Sequence, residues 1–114
     1  MHPPRELSWV LPGSIAVEDD GNHRVLFLRG ELDGAVVASF RAQQGSEPVV
    51  IDAIDAATVT FMSSTGIAVM LLCVEASLAV GRSPVLRASS AVVDRVLGMS
   101  GIDRLFLRPH DAAP

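Results

Sequence analysis

Lysine is absent from this 114-residue sequence, and all nine basic residues are arginine. That absence excludes a Walker-type phosphate loop, Schiff-base chemistry and a lysine general base. The arginines are scattered singly from Arg5 to Arg108, the formal charge is −4 and the pI is near 5.2, so no basic stripe can follow a phosphate backbone. Nucleic acid is therefore not expected as a partner. There is one cysteine, Cys73, which excludes an internal disulfide and fits a reducing compartment. It lies within an apolar run and reads as a small buried hydrophobe rather than a nucleophile.

Long apolar segments are also missing. Met1 to Glu6 has no signal-peptide core, so secretion is not expected and a cytoplasmic location is. The longest unbroken apolar stretch, Ile67 to Val74, gives way to Glu75, Ser77 and Gly81, whereas a membrane span needs about twenty apolar residues. It reads as a buried helix, and no membrane insertion is predicted. The chain has no Gly-x-Ser-x-Gly elbow, no Gly-x-Gly-x-x-Gly fingerprint and no His-Glu-x-x-His pair. His2, His23 and His110 fall in a terminus, a turn and a tail and read as solvated, while Asp52 and Asp55 read as solvated or capping acids rather than a catalytic pair. An enzyme is not expected, nor a cofactor, nor a metal site.

What remains is a globular composition, 49% hydrophobic and 19% charged, in a length suited to one domain. Residues 1–13, with three prolines, read as a loose lead-in from which Trp9, Val10 and Leu11 can cap a sheet; residues 14–108 read as the domain and 109–114 as a frayed tail. Ile15 and Val17 alternate with Ala16 and Glu18, the Asp19-Asp20-Gly21-Asn22 stretch supplies turn residues, and Val25 to Leu28 resumes β-formers, which predicts a hairpin. Val36, Val37 and Phe40 mark a helix over Ala35 to Gln44, stopped by Gly45 and Pro48. Val49 to Ile51 reads as a short central strand ending at Asp52. A helix starts at Ser63 to Thr65 and runs to about Val80, closed by Gly81. A strand over Pro84 to Arg87, a helix capped by Ser89 or Ser90 and carrying Val92, Val93, Val96 and Leu97, and a last strand over Leu105 to Leu107 complete the order β-β-α-β-α-β-α-β. Helices between strands imply parallel pairing, so the fold class is α/β, a mixed and mostly parallel sheet with helices mainly on one face.

The second helix is apolar on too many sides. At 100° per residue, Ile67, Met70, Leu71, Val74 and Leu78 form a stripe that packs on the sheet, while Val69, Leu72, Ala76 and Val80 lie opposite. Those four either pack under the first helix or form a docking patch. At the start of the same helix, Ser63, Ser64 and Thr65 gather three hydroxyls with unpaired backbone N–H groups, where the helix dipole favours added negative charge. A plain N-cap explains the turn equally well.

The segment Val59-Thr60-Phe61-Met62-Ser63-Ser64-Thr65-Gly66-Ile67-Ala68-Val69 resembles the signature of STAS domains, in which a strand leads to a helix through an Asp-Ser-Ser-Gly or Asp-Ser-Thr-Gly turn. Arg29-Gly30-Glu31-Leu32-Asp33 is similar to a second landmark of that family, and Val96-Leu97 with Ser100-Gly101-Ile102-Asp103-Arg104-Leu105-Phe106 to a third. The three occur in the family's order and cover Ser14 to Arg108. The resemblance is to bacterial anti-sigma-factor antagonists. It implies a single STAS-like domain that binds an anti-sigma factor of the Ser/Thr-kinase type, frees a sigma factor for transcription, and is switched off by phosphorylation. By position the acceptor hydroxyl falls on Thr65, with Ser64 and Ser63 as alternatives. The partner surface it implies comprises Asp33, Ser63, Ser64, Thr65, Gly66, Ile67, Val69, Leu72 and Ala76. The family's Asp is replaced by Ser63, which removes a carboxylate beside the acceptor. Matching Asp52 to the family leaves Ala53 to Thr60 about three residues too long, and matching Asp55 removes the excess; the residues do not choose between these. The alternative role within the same fold is a STAS subunit or sensor docking on a transporter ATPase or another partner without regulated phosphorylation. A homodimer is compatible with the sequence, but nothing in it specifies one.

Overall fold

The computed structural model describes residues 11–45 and 47–109; the expected lead-in up to Val10 with its Trp9 cap, and the tail after Pro109, lie outside them. Strands β1 (Gly13–Asp20) and β2 (His23–Leu32) form the expected hairpin around Gly21-Asn22, with Asp20 opposite His23 and Gly21 in the left-handed region at φ +68°. Helix α1 (Gly34–Gln44) then crosses to β3 (Ala53–Met62), α2 (Ser64–Ala79) to β4 (Val85–Ser89), and α3 (Ala91–Met99) follows. The sheet order is β1-β2-β3-β4, antiparallel at the hairpin and parallel at β2/β3 and β3/β4. All three helices contribute to one core: Val36, Val37 and Phe40 from α1, Met70 and Val74 from α2, and Val93 and Leu97 from α3 meet Leu26, Leu28, Ile54 and Leu86 of the sheet.

Three sequence expectations need correction. The central strand is not Val49–Ile51 but Ala53–Met62. Ile51 is fully buried, and its N–H donates to the Ser77 hydroxyl of α2 at 2.9 Å instead of to a strand neighbour. The alanine-rich stretch after Asp52 is extended because β2 and β4 pair with it on both sides, a context that overrides weak local preference. The residues between Asp52 and Phe61 are thus a strand and not a connection.

The last strand over Leu105–Leu107 is reduced to a 3-10 turn (Asp103–Leu105) and a single parallel bridge of Leu107 with Val85. One bridge is all that forms because the chain is pinned immediately afterwards. Arg108 donates to Asp94 and Asp103, both at 3.0 Å, and to the Ser89 hydroxyl at 2.7 Å.

The third correction concerns the faces of α2. Its buried positions are Gly66, Val69, Met70, Cys73, Val74 and Ser77. Ile67 and Leu71 are only half-buried, and Leu78 is 56% exposed although it was expected against the sheet. The buried face includes small residues, Gly66, Cys73 and Ser77, that let the helix backbone come close. Val69, for which packing under the first helix and a docking patch were both open, is 4% exposed and borders a small cleft with Phe40 of α1. Packing by the first helix accounts for it.

Candidate functional site

Parallel strands β2 and β3 end side by side, and each hands over to a helix through a polar cap. Asp33 caps α1, its carboxylate accepting from the Val36 N–H at 3.0 Å. Ser63 caps α2, with Oγ accepting from the Gly66 N–H at 3.2 Å and extended backbone at φ −80°, ψ 167°. The two caps are tied together by the Ser63 N–H, which donates to the Leu32 carbonyl at 3.0 Å. Among the described residues, the hydrogen bond of the Asp33 carboxylate is to its own helix and not to the 63–65 turn.

Within the turn, Ser63 Oγ lies 2.9 Å from Thr65 Oγ1. Ser63 is half-buried, and Ser64 and Thr65 are exposed. A hydroxyl can accept twice and donate once, so Ser63 can serve the Gly66 N–H and the Thr65 hydroxyl together. Gly66 is buried, and a Cβ there would come within 2.7 Å of Met62 Sδ and 3.4 Å of Leu32 Cβ. Its role is close packing under the turn; it offers no side chain to a partner. The first turn of α2 holds no acidic residue and its last turn no basic one, so nothing on the helix offsets the partial charge of its ends.

From the turn an outward stripe continues along α2 through Ala68 and Leu72 to Ala76. Leu72 is 39% exposed; Ala68 and Ala76 are half-buried. Of the expected partner surface, Ser64, Thr65 and Leu72 are therefore open, Asp33, Ser63, Ile67 and Ala76 partly so, and Gly66 and Val69 are withdrawn into the core.

The other candidates are structurally engaged. Asp52 accepts from the Arg24 N–H at 2.8 Å and pairs with Arg82 at 2.9 Å; the backbone bond first, then the guanidinium, holds its pKa below the ordinary carboxylate value. Asp55 pairs with Arg87 at 3.1 Å and accepts from the Ala57 N–H. Burial pushes the Cys73 thiol up, away from thiolate chemistry. Among the described residues no group of three or more His, Cys, Asp or Glu could hold a metal, and no helix is long and apolar enough to cross a membrane. A cavity of about 510 Å³ lies between β1 and α1, and no residue of the 63–66 turn lines it.

Sequence reasoning missed how β3 reaches this turn. Gly30 opposes Val59 and Glu31 opposes Phe61, so Thr60 is an extra residue on β3. No turn residue marks that spot, and an alternating pattern does not reveal it.

The fold matches known proteins. The STAS domain family model fits residues 14–112. Among solved structures, an anti-sigma factor antagonist from Mycobacterium paratuberculosis aligns with a TM-score of 0.58 at 22% identity, covering 85% of this chain and 86% of that one. No curated protein matches. A family match spanning most of the chain, on a mixed four-stranded sheet whose central strand feeds a hydroxyl-capped helix, means that this chain belongs to the STAS domain family.

Proposed function

We propose that this chain is an anti-sigma-factor antagonist. It docks through the 63–65 turn and the outward stripe of α2 on an anti-sigma factor of the Ser/Thr-kinase type, and so releases a sigma factor in the cytoplasm. Phosphate on the turn, with Thr65 as the leading acceptor, ends the docking. The carrying observation is the exposed pair Ser64 and Thr65 at the head of a largely apolar helix that has no acid in its first turn. Membership of the STAS family and the likeness to an antagonist structure support the same reading. The contacting set is Asp33, Ser63, Ser64, Thr65, Ile67, Leu72 and Ala76, without the buried Gly66 and Val69.

A phosphate there adds about −1.5 to −2 charges at pH 7. The helix dipole tolerates it in the free protein, but burying it against the apolar surface that meets Leu72 requires stripping a dianion of water. Free and bound states are thus affected oppositely, which is what an off-switch needs. Incubation with an anti-sigma kinase of the source genome and ATP, followed by mass spectrometric mapping, tests this. Phosphate is expected within residues 63–65 with loss of binding, and phosphate elsewhere overturns the assignment.

One observation favours a second reading, docking on a transporter ATPase or other partner without regulated phosphorylation. The hydrogen bond between Ser63 Oγ and Thr65 Oγ1 ties the leading acceptor into the cap. Under that reading the same kinase leaves the chain unmodified and binding is insensitive to ATP.

A further inference from the structure

Phe61 is held in the open by an irregularity in β3. With Val59 buried, unbroken alternation would turn Phe61 toward the core and Met62 toward solvent. The extra residue Thr60 reverses this: Met62 is buried, and Phe61 is 49% exposed one position before the end of the strand. Bulges beside functional sites commonly re-aim a side chain in this way. The other phenylalanines among the described residues are covered. Phe40 and Phe106 are buried, and Phe27 is half-buried under the guanidinium groups of Arg29 and Arg87, 4.5 and 5.3 Å from its centroid.

The open ring stands two residues before the cap Ser63, opposite the exposed Glu31 in register. Its neighbours in sequence and register are polar and exposed: Thr60 before it, Glu31 opposite it and Ser64 three residues on. A rigid aromatic surrounded by polar groups has the anatomy of an interface anchor and its rim.

We infer that Phe61 is the aromatic anchor of the docking surface, inserting into an apolar, polar-rimmed pocket of the partner that reads the 63–65 turn. The inference rests on the antagonist reading and names an affinity-determining residue for it. The ring supplies apolar burial that phosphorylation does not touch, whereas the hydroxyls beside it supply the switch. The partner must therefore present a pocket that spans the end of β3 and the start of α2 together.

The experiment uses the purified Ser/Thr-kinase-type anti-sigma factors encoded in the source genome, each titrated calorimetrically with the unphosphorylated native chain and its variants. For the factor that binds, Phe61→Ala is expected to weaken affinity about thirty-fold, with Phe61→Leu recovering most of it. Leu105→Ala, which removes another exposed apolar side chain far along the sequence, is expected to leave affinity unchanged. Phe61→Gln, which keeps most of the bulk and removes the apolar surface, repeats the loss, and native melting temperatures show that folding is intact. Native binding with unchanged affinity in Phe61→Ala overturns the anchor and leaves the antagonist reading standing. An equal loss in Leu105→Ala also overturns the anchor. If no factor binds the native chain, the antagonist reading falls, and the anchor with it.

Discussion

The two ends of β3 are built on opposite plans. At its start the polar groups are engaged by the fold itself: Asp52 holds the Arg24 N–H and the Arg82 guanidinium, and Ser77 accepts from the Ile51 N–H while donating to the Cys73 carbonyl at 2.7 Å. At its end Ser63 caps α2, but Ser64 and Thr65 face solvent, Phe61 is turned outward and no acid offsets the helix start. One end ties loop, strand and helix together. The other is kept available. Such a division is expected of a docking domain, since groups already satisfied internally have little to offer a partner.

The comparison can be broken most severely under the turn, at Gly66. A Cβ there would already crowd Met62 Sδ, and Gly66→Val adds two methyl groups at the same place. We expect a loss of about 3 kcal/mol from overpacking, measured by urea unfolding. The available end therefore stands on a tightly packed floor. A loss below about 1 kcal/mol would show that the floor yields easily, and that the close approach of α2 to Met62 is not needed.

At the engaged end, Ser77→Ala leaves the fully buried Ile51 N–H without its acceptor. An orphaned buried donor costs about 2 kcal/mol. Amide hydrogen exchange at Ile51 should accelerate in step with the loss of stability. Asp52→Ala comes next, at about 1 kcal/mol, because one backbone bond and one partly exposed ion pair are lost. This effect carries a pH signature. The folded pKa of Asp52 lies below its ordinary value of 3.8, so its contribution is complete above that value and is lost as pH falls through the lowered one. The stability gap between native and Asp52→Ala should be constant near neutrality and shrink below about pH 4. A gap that persists at pH 2 would mean that packing, not the carboxylate, sets it.

The available end was the more legible in sequence, for physical reasons. Caps and turns are local, so Ser63, a cap at Ser89 or Ser90 and the Gly21-Asn22 turn declare themselves through residue type, and the structure selects Ser90. The body of β3 does not, because ten of its residues oppose only Val25–Leu32 of β2, and the surplus is absorbed by irregularities next to Phe27 and Gly30 that no residue type announces. Nor does the orientation of α2. A helix apolar on every side has no hydrophobic direction, and the face that wins is the one that fits, through Gly66, Cys73 and Ser77. Leu78, expected against the sheet, was misread for that reason. Leu105 to Leu107 look like a strand by composition, but a strand needs a partner along its length, and Arg108 anchors the chain after a single bridge.

The smallest expected effect is also the sharpest probe of the division. Ser63→Asp restores the carboxylate that the STAS signature carries at this position, and Asp caps helices as well as Ser does. The bond from the Gly66 N–H is retained, and a negative charge is placed at a helix start that now has none. Stability should rise by a few tenths of a kcal/mol at low salt and return toward native at high salt, where the charge–dipole interaction is screened. Thermal melts at two salt concentrations measure this, and a decrease at low salt would show that the hydroxyl pair Ser63–Thr65 is worth more to the fold than the charge. If the rise is found, the native serine is the less stable choice at its own position. Under the antagonist reading, its advantage then lies in keeping the first turn of α2 free of a carboxylate, so that an added phosphate would be the first negative charge on that turn.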